Sequence, residues 1–220
     1  MLGPDHQETL TTLASLALAH RGLGQLDQAL PLFQQAAVVI ESKRFEHPHA
    51  GPIISDLIAC SEQVNKYPEA EAWRRKWLAV VKERAGTDSL PHAGELSLLG
   101  MNLIHQTKWA EAEPVLRECL RIREKLQPDV WSTFNAKSLL GGALAGQRKY
   151  DQAEPLLLAG YEGMKQRAAA IPPAGRTRLP EAADRLVQLY IATGRPAEAT
   201  KWQVVSDHYW RIAPPPREKK

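Results

Sequence analysis

The chain is poor in the features that would mark it for a particular chemistry. It has 2 cysteines in 220 residues, which excludes a disulfide-stapled scaffold. Cys60 and Cys119 fall inside helical patterns, where buried, reduced thiols are expected. Charge of one sign does not dominate. The 28 Lys and Arg and the 25 Asp and Glu give a net charge of +3 and are interleaved, so neither nucleic acid nor a membrane surface is an expected partner. No apolar run approaches the roughly 18 residues that cross a bilayer. The start, Met1-Leu2-Gly3-Pro4-Asp5-His6, has neither the basic residues nor the apolar stretch of a secretory leader. A cytoplasmic location is expected.

Signatures of catalysis are missing too. The sequence has no G-x-S-x-G, no phosphate-cradling glycine loop and no H-E-x-x-H. His47-Pro48-His49 is a lone pair beside Glu46 in a break between helical segments. A metal centre wants three or four convergent ligands, so this reads as a solvated turn. No cofactor, no metal and no enzymatic activity are expected.

What the chain does have is a repeat. Five segments place a small polar turn and a bulky or Pro position before x-x-Ala: 24–29, 65–70, 107–112, 148–153 and 194–199. The closing residues Ala29, Ala70, Ala112, Ala153 and Ala199 recur at intervals of 41, 42, 41 and 46 residues. A period of this size marks a solenoid, in which each unit buries its apolar face against its neighbours. The small residue has a physical reason, since two antiparallel helices joined by a few residues come closest there.

Periodicity supplies the helices. In the first unit Leu10, Leu13, Leu16 and Ala17 fall on one face, and the helix should end near Gly22-Leu23-Gly24. Asp27 is a candidate N-cap for the next helix, with Ala29, Leu32, Phe33 and Ala36 inward. Further pairs are expected at 49–65 and 68–85, 92–106 and 110–126, 130–147 and 151–168, and 178–193 and 196–212. Pro31, Pro114 and Pro155 read as first-turn prolines, which sacrifice no hydrogen bond, and Pro68 and Pro196 as helix starters. The fold class is therefore all-α: an α-solenoid of five tandem antiparallel hairpins forming a right-handed superhelix. Its units span about 5–45, 46–87, 88–128, 129–170 and 176–212. The proline- and lysine-rich tail 213–220 should be disordered. The stretch 167–176 lengthens the last interval and reads as a loop insertion or a partner-contacting loop.

The pattern resembles tetratricopeptide repeats of the longer, kinesin-light-chain type. Leu2-Gly3-Pro4-Asp5-His6-Gln7 is close to the LGPDHP linker of such repeats. Ala110-Glu111-Ala112-Glu113-Pro114-Val115-Leu116 and Ala153-Glu154-Pro155-Leu156-Leu157 resemble their AEPL helix opening. The resemblance implies a repeat array of a larger bacterial protein, such as one with a serine/threonine kinase domain. It implies a scaffold that binds a peptide or protein on a concave face lined by the first helix of each pair. The alternative is a regulatory or sensor array for an attached enzyme.

Counting back from the turn alanine places candidate face residues. They are Ala14, Ser15, Leu18 and Arg21 in the first unit, and Ser55, Asp56, Ala59 and Gln63 in the second. The third offers Ser97, Leu98, Met101 and His105; the fourth, Ser138, Leu139, Gly142 and Gly146; the fifth, Asp184, Arg185, Gln188 and Ala192. Ser55, Asp56, Ser97, Leu98, Met101, His105, Ser138 and Leu139, in the middle of the array, are the candidate peptide-binding groove. The Asn pairs that relatives carry there are replaced by Ser55-Asp56, Ser97-Leu98 and Ser138-Leu139. The partner expected is a protein or peptide segment. The six tryptophans read as core, or, for Trp202 and Trp210, as an exposed terminal patch through which the array could associate with itself.

Overall fold

The computed structural model describes residues 7–212, and all regular structure among them is helical. The linker-like start and the tail from 213 lie outside them. The chain divides into two compact units, Met1–Arg84 and Ala85–Lys220. The first holds α1 (Gln7–Gly22), α2 (Leu26–Ser42), α3 (Ala50–Gln63) and α4 (Tyr67–Ala85). The second holds α5 (Leu90–His105), α6 (Trp109–Leu126), α7 (Trp131–Gly146), α8 (Tyr150–Gln166), α9 (Arg178–Ala192) and α10 (Pro196–Ile212).

Every hairpin turns the same way. One residue adopts a left-handed conformation: Gly24, Asn65, Thr107, Arg148 and Gly194, at φ between 58° and 83°. The next N–H then bonds the carbonyl five residues back, from Gln25, Lys66, Lys108, Lys149 and Arg195 at 2.8–3.0 Å. This closure satisfies carbonyls that the end of a helix leaves unpaired. The second helix starts at once, and the turn alanines Ala29, Ala70, Ala112, Ala153 and Ala199 are all buried, as the repeat requires.

In the first unit Leu10, Ala17, Phe33, Ile40, Ile54 and Leu57 are buried in one apolar core. Leu16 is 47% exposed and Ala14 is buried, the reverse of the expected register. The inward face of α1 runs through Leu10, Ala14 and Ala17, a spacing of four and three, and Leu16 falls off it. Asp27 does not cap α2. The cap position is Gln25, without a side-chain bond, and Asp27 sits in the first turn. Pro31, Pro114 and Pro155 are the sixth residues of α2, α6 and α8, past the first turn. Each removes one backbone hydrogen bond from a helix that nonetheless runs on.

In the second unit α7 lies between α5 and α9 and contacts both, and each of the three packs on its partners among α6, α8 and α10. Leu99, Leu103, Leu116, Leu144, Leu157 and Leu186 fill the seams. The tightest seam joins α7 and α8: a Cβ added at Gly160 would lie 2.7 Å from the Ser138 nitrogen and 2.8 Å from the Phe134 carbonyl oxygen. The 167–176 stretch is ordered rather than open. It holds two 3-10 turns, Ala168–Ala170 and Pro173–Gly175. Arg167 ties it to Asp129 by an ion pair and lies over the Phe134 ring at 4.4 Å. Both cysteines are free and buried. Burial pushes the Cys119 thiol upward, so it is an inert core side chain.

Trp202 is buried rather than part of an exposed patch. It meets Tyr161 edge-on at 4.7 Å. Trp210 turns inward and donates from Nε1 to Asp184 at 3.0 Å.

Candidate interaction face of the second unit

Three first helices line a pocket of about 590 Å³. Met101, Ile104 and His105 come from α5, Ala145 and Gly146 from α7, and Arg185, Gln188 and Leu189 from α9, and Trp109, Tyr150 and Trp210 complete the lining. Two glycines shape its wall. A Cβ at Gly146 would lie 2.3 Å from the Trp109 ring, and one at Gly142 2.9 Å from the Arg185 side chain. The indole and the guanidinium stem therefore lie directly against the α7 backbone, which only glycine permits.

The charges of the pocket are compensated from within. Arg178 donates to both oxygens of Glu181 at 3.1 and 2.9 Å. Arg185 is 13% exposed and sits 3.6 Å from the same carboxylate, donating to Ser138 Oγ at 3.1 Å. Burial, with Arg178 as a like charge, pulls the Arg185 pKa down. Asp184 accepts from Ser206 and from Trp210, so both its oxygens are engaged. Among the described residues no group of three His, Cys, Asp or Glu could hold a metal. His49 instead donates its backbone N–H to His47 Nδ1 at 3.1 Å.

A second, smaller pocket of about 280 Å³ adjoins the first. Met101 lines both, and its sulfur accepts from Arg178 at 2.8 Å, so this contact forms the ridge between them. Ser97 and Leu98 from α5, Trp131 and Asn135 from α7, and Ala174 and Gly175 of the insertion enclose it.

The candidate groove residues separate on this geometry. Ser97, Leu98, Met101 and His105 line one pocket or the other. Ser138 and Leu139 do not: both are fully buried, because α8 crosses α7 at that level and Arg185 covers the Ser138 hydroxyl. Ser55 and Asp56 belong to the first unit, where Ser55 is exposed and Asp56 pairs with Arg21 at 2.6 Å. Of the remaining positions counted back from the turn alanines, Gly142, Gly146, Asp184, Arg185, Gln188 and Ala192 all reach the larger pocket. Sequence reasoning missed Asn135, Trp131, Arg178, Glu181 and Trp210. Only Trp131 and Trp210 carried a signal, as aromatics without a repeat position. No helix among the described residues is long and apolar enough to cross a membrane.

The second unit is thus a stack of helix hairpins with an indented face on its first helices, the layout of a helical repeat protein. The tetratricopeptide repeat family model matches residues 9–48 and 96–126, one stretch in each unit, so both units carry a stretch of tetratricopeptide repeat type. Solved structures share the fold. One is the Podosopora anserina putative kinesin light chain with nearly identical TPR-like repeats, at 17% identity and a TM-score of 0.66, covering 93% of this chain and 96% of that one. A second is BtubC (BKLC) from P. vanneervenii, at 18% and 0.67, covering 97% and 86%. A third, MamA from MSR-1, is more distant, at 14% and 0.53, covering 93% and 98%. Among the curated proteins searched, none gives a significant match.

Proposed function

We propose that the chain is a non-catalytic scaffold that binds a protein or peptide segment on the face of α5, α7 and α9. The carrying observation is the larger pocket. It combines an apolar floor of Met101, Ile104, Leu189 and Ala192 with charges already paired inside the protein. Such a lining suits burial of a partner's side chains. A phage-displayed library of random short peptides, panned on the whole chain, tests it. Met101→Glu should abolish capture of the selected peptides while circular dichroism stays unchanged. Met101 is half-buried at a surface ridge, and a carboxylate there can pair with Arg178. Gln188→Trp, at an exposed position in the same pocket, should act likewise. Normal binding by both folded variants would refute this face.

A further inference from the structure

The smaller pocket contains two features that packing does not explain. Asn135 lines it, is 7% exposed, and its Oδ1 is a buried acceptor with no donor. Buried polar atoms are nearly always satisfied, so an orphan points to a partner the free protein lacks. Independently, Gly94 occupies a helical position in α5 where a side chain would meet nothing: a Cβ there has no heavy atom within 4 Å. Its φ lies outside the left-handed region. Glycine in a helix weakens it relative to alanine, and neither a turn nor a close approach requires it here. What its missing side chain leaves is the mouth of the pocket. The insertion peculiar to this interval supplies the opposite wall. Gly175 rests against Ile171 and the Trp131 ring, where an added Cβ would lie 3.0 and 3.1 Å away.

We infer that this pocket seats one large aliphatic side chain of an extended peptide, with Asn135 accepting the adjoining backbone N–H. The inference rests on the proposed binding of a protein segment to this face, and it assigns that segment's conformation and anchor. The volume, about 280 Å³, falls below the roughly 300–1,000 Å³ of small-molecule pockets. Leu98, Met101, Trp131 and Pro172 give it an apolar wall, and the two arginines that also line it are engaged within the protein, Arg178 with Glu181 and Arg123 with Ser132. The conformation follows from the hydrogen bond. A helix uses its own N–H groups, apart from the first turn, whereas an extended segment carries free ones. The Asn135 amide can also turn about Cβ–Cγ to offer its donor to a peptide carbonyl.

Two variants of the whole chain test this against the same peptide library. Gly94→Leu fills the mouth and Asn135→Leu removes the acceptor at similar volume. Both should keep or raise the melting temperature, because each replaces a residue that costs stability where it stands. Peptides selected on the unmodified chain should share one Leu, Ile or Met and lose about ten-fold or more in affinity for each variant, as expected for an anchor contact. N-methylation of the selected peptide at one backbone position should cost about ten-fold on the unmodified chain and nothing on Asn135→Leu, the signature of a direct pair. If no library peptide binds the unmodified chain, the reading of the face fails and this inference with it. If peptides bind but are indifferent to both variants, this inference alone falls. Unfolding of Gly94→Leu would also overturn it, since the space would then not be open.

Discussion

Alanine substituted for glycine at two helical positions of the second unit should change stability in opposite directions. Gly160 is buried in α8 against α7, and the new Cβ would lie 2.7 Å from the Ser138 nitrogen, 2.8 Å from its Cβ and 2.8 Å from the Phe134 carbonyl oxygen. Two of those neighbours are backbone atoms and cannot rotate away, so the helices must part. Overpacking of this kind costs about 1–3 kcal/mol, and rigid neighbours place it at the upper end. Alanine recovers about 1 kcal/mol of helix propensity. The net loss for Gly160→Ala is then about 2 kcal/mol, or about 4–8 °C in melting temperature for a protein of this size. Gly94→Ala keeps the propensity gain and meets nothing within 4 Å, so it should rise by about 2–4 °C. Thermal melts followed by circular dichroism, with urea midpoints as a second readout, measure both. A Gly160→Ala protein that melts at or above the unmodified chain would refute the close approach of α7 and α8.

Leu99→Asp, at a buried seam of the second unit, should cost more than the roughly 2–5 kcal/mol of a Leu→Ala truncation, because a charge is buried as well. Leu16→Asp, at an exposed site, should stay within about 0.5 kcal/mol of the unmodified chain; equal losses in urea titrations would mean that the register of α1 is wrong. Glu113 accepts from Lys149 at 2.7 Å and pairs with Arg117 at 2.8 Å. Led by the Lys149 bond, these interactions lower its carboxyl from 4.5 to about 2. Its contribution is therefore full above the unfolded value and is lost as pH falls through about 2. Glu113→Gln should melt below the unmodified chain at neutral pH, and the gap should close in acid melts; a gap independent of pH would refute the assignment.

The hairpins were legible because two signals coincided in the sequence: the turn alanines at near-constant intervals and the apolar stripes between them. Both report on packing, which dictates residue size at each seam. The prolines were misread by position: counted from the expected starts or from the observed ones, Trp109 and Tyr150, Pro114 and Pro155 lie past the first turn. The face was legible only in part. Counting from the turn found Met101, Gly142, Arg185 and Gln188, because helical geometry carries that register along each first helix. It failed at Ser138 and Leu139, where Gly160 lets α8 come close enough to cover α7. It also failed at Asn135 and Arg178. Their place in the face depends on the insertion's path, and no periodicity encodes that.

The five hairpin turns share one backbone shape but not one residue type. Glycine stands at the left-handed position in two, while Asn65, Thr107 and Arg148 stand there in the others. A β-branched threonine at φ 58° opposes its own conformational preference by roughly 1–2 kcal/mol. The neighbouring alanine seam must therefore impose the turn. For anyone redesigning the chain, this separates two kinds of position. The alanines are fixed by geometry and admit no enlargement. Thr107 and Arg148, which line neither pocket of the face, are adjustable, and glycine at each would relieve backbone strain while leaving the partner-facing residues untouched. The protein can thus be made hardier without being asked to recognise anything different.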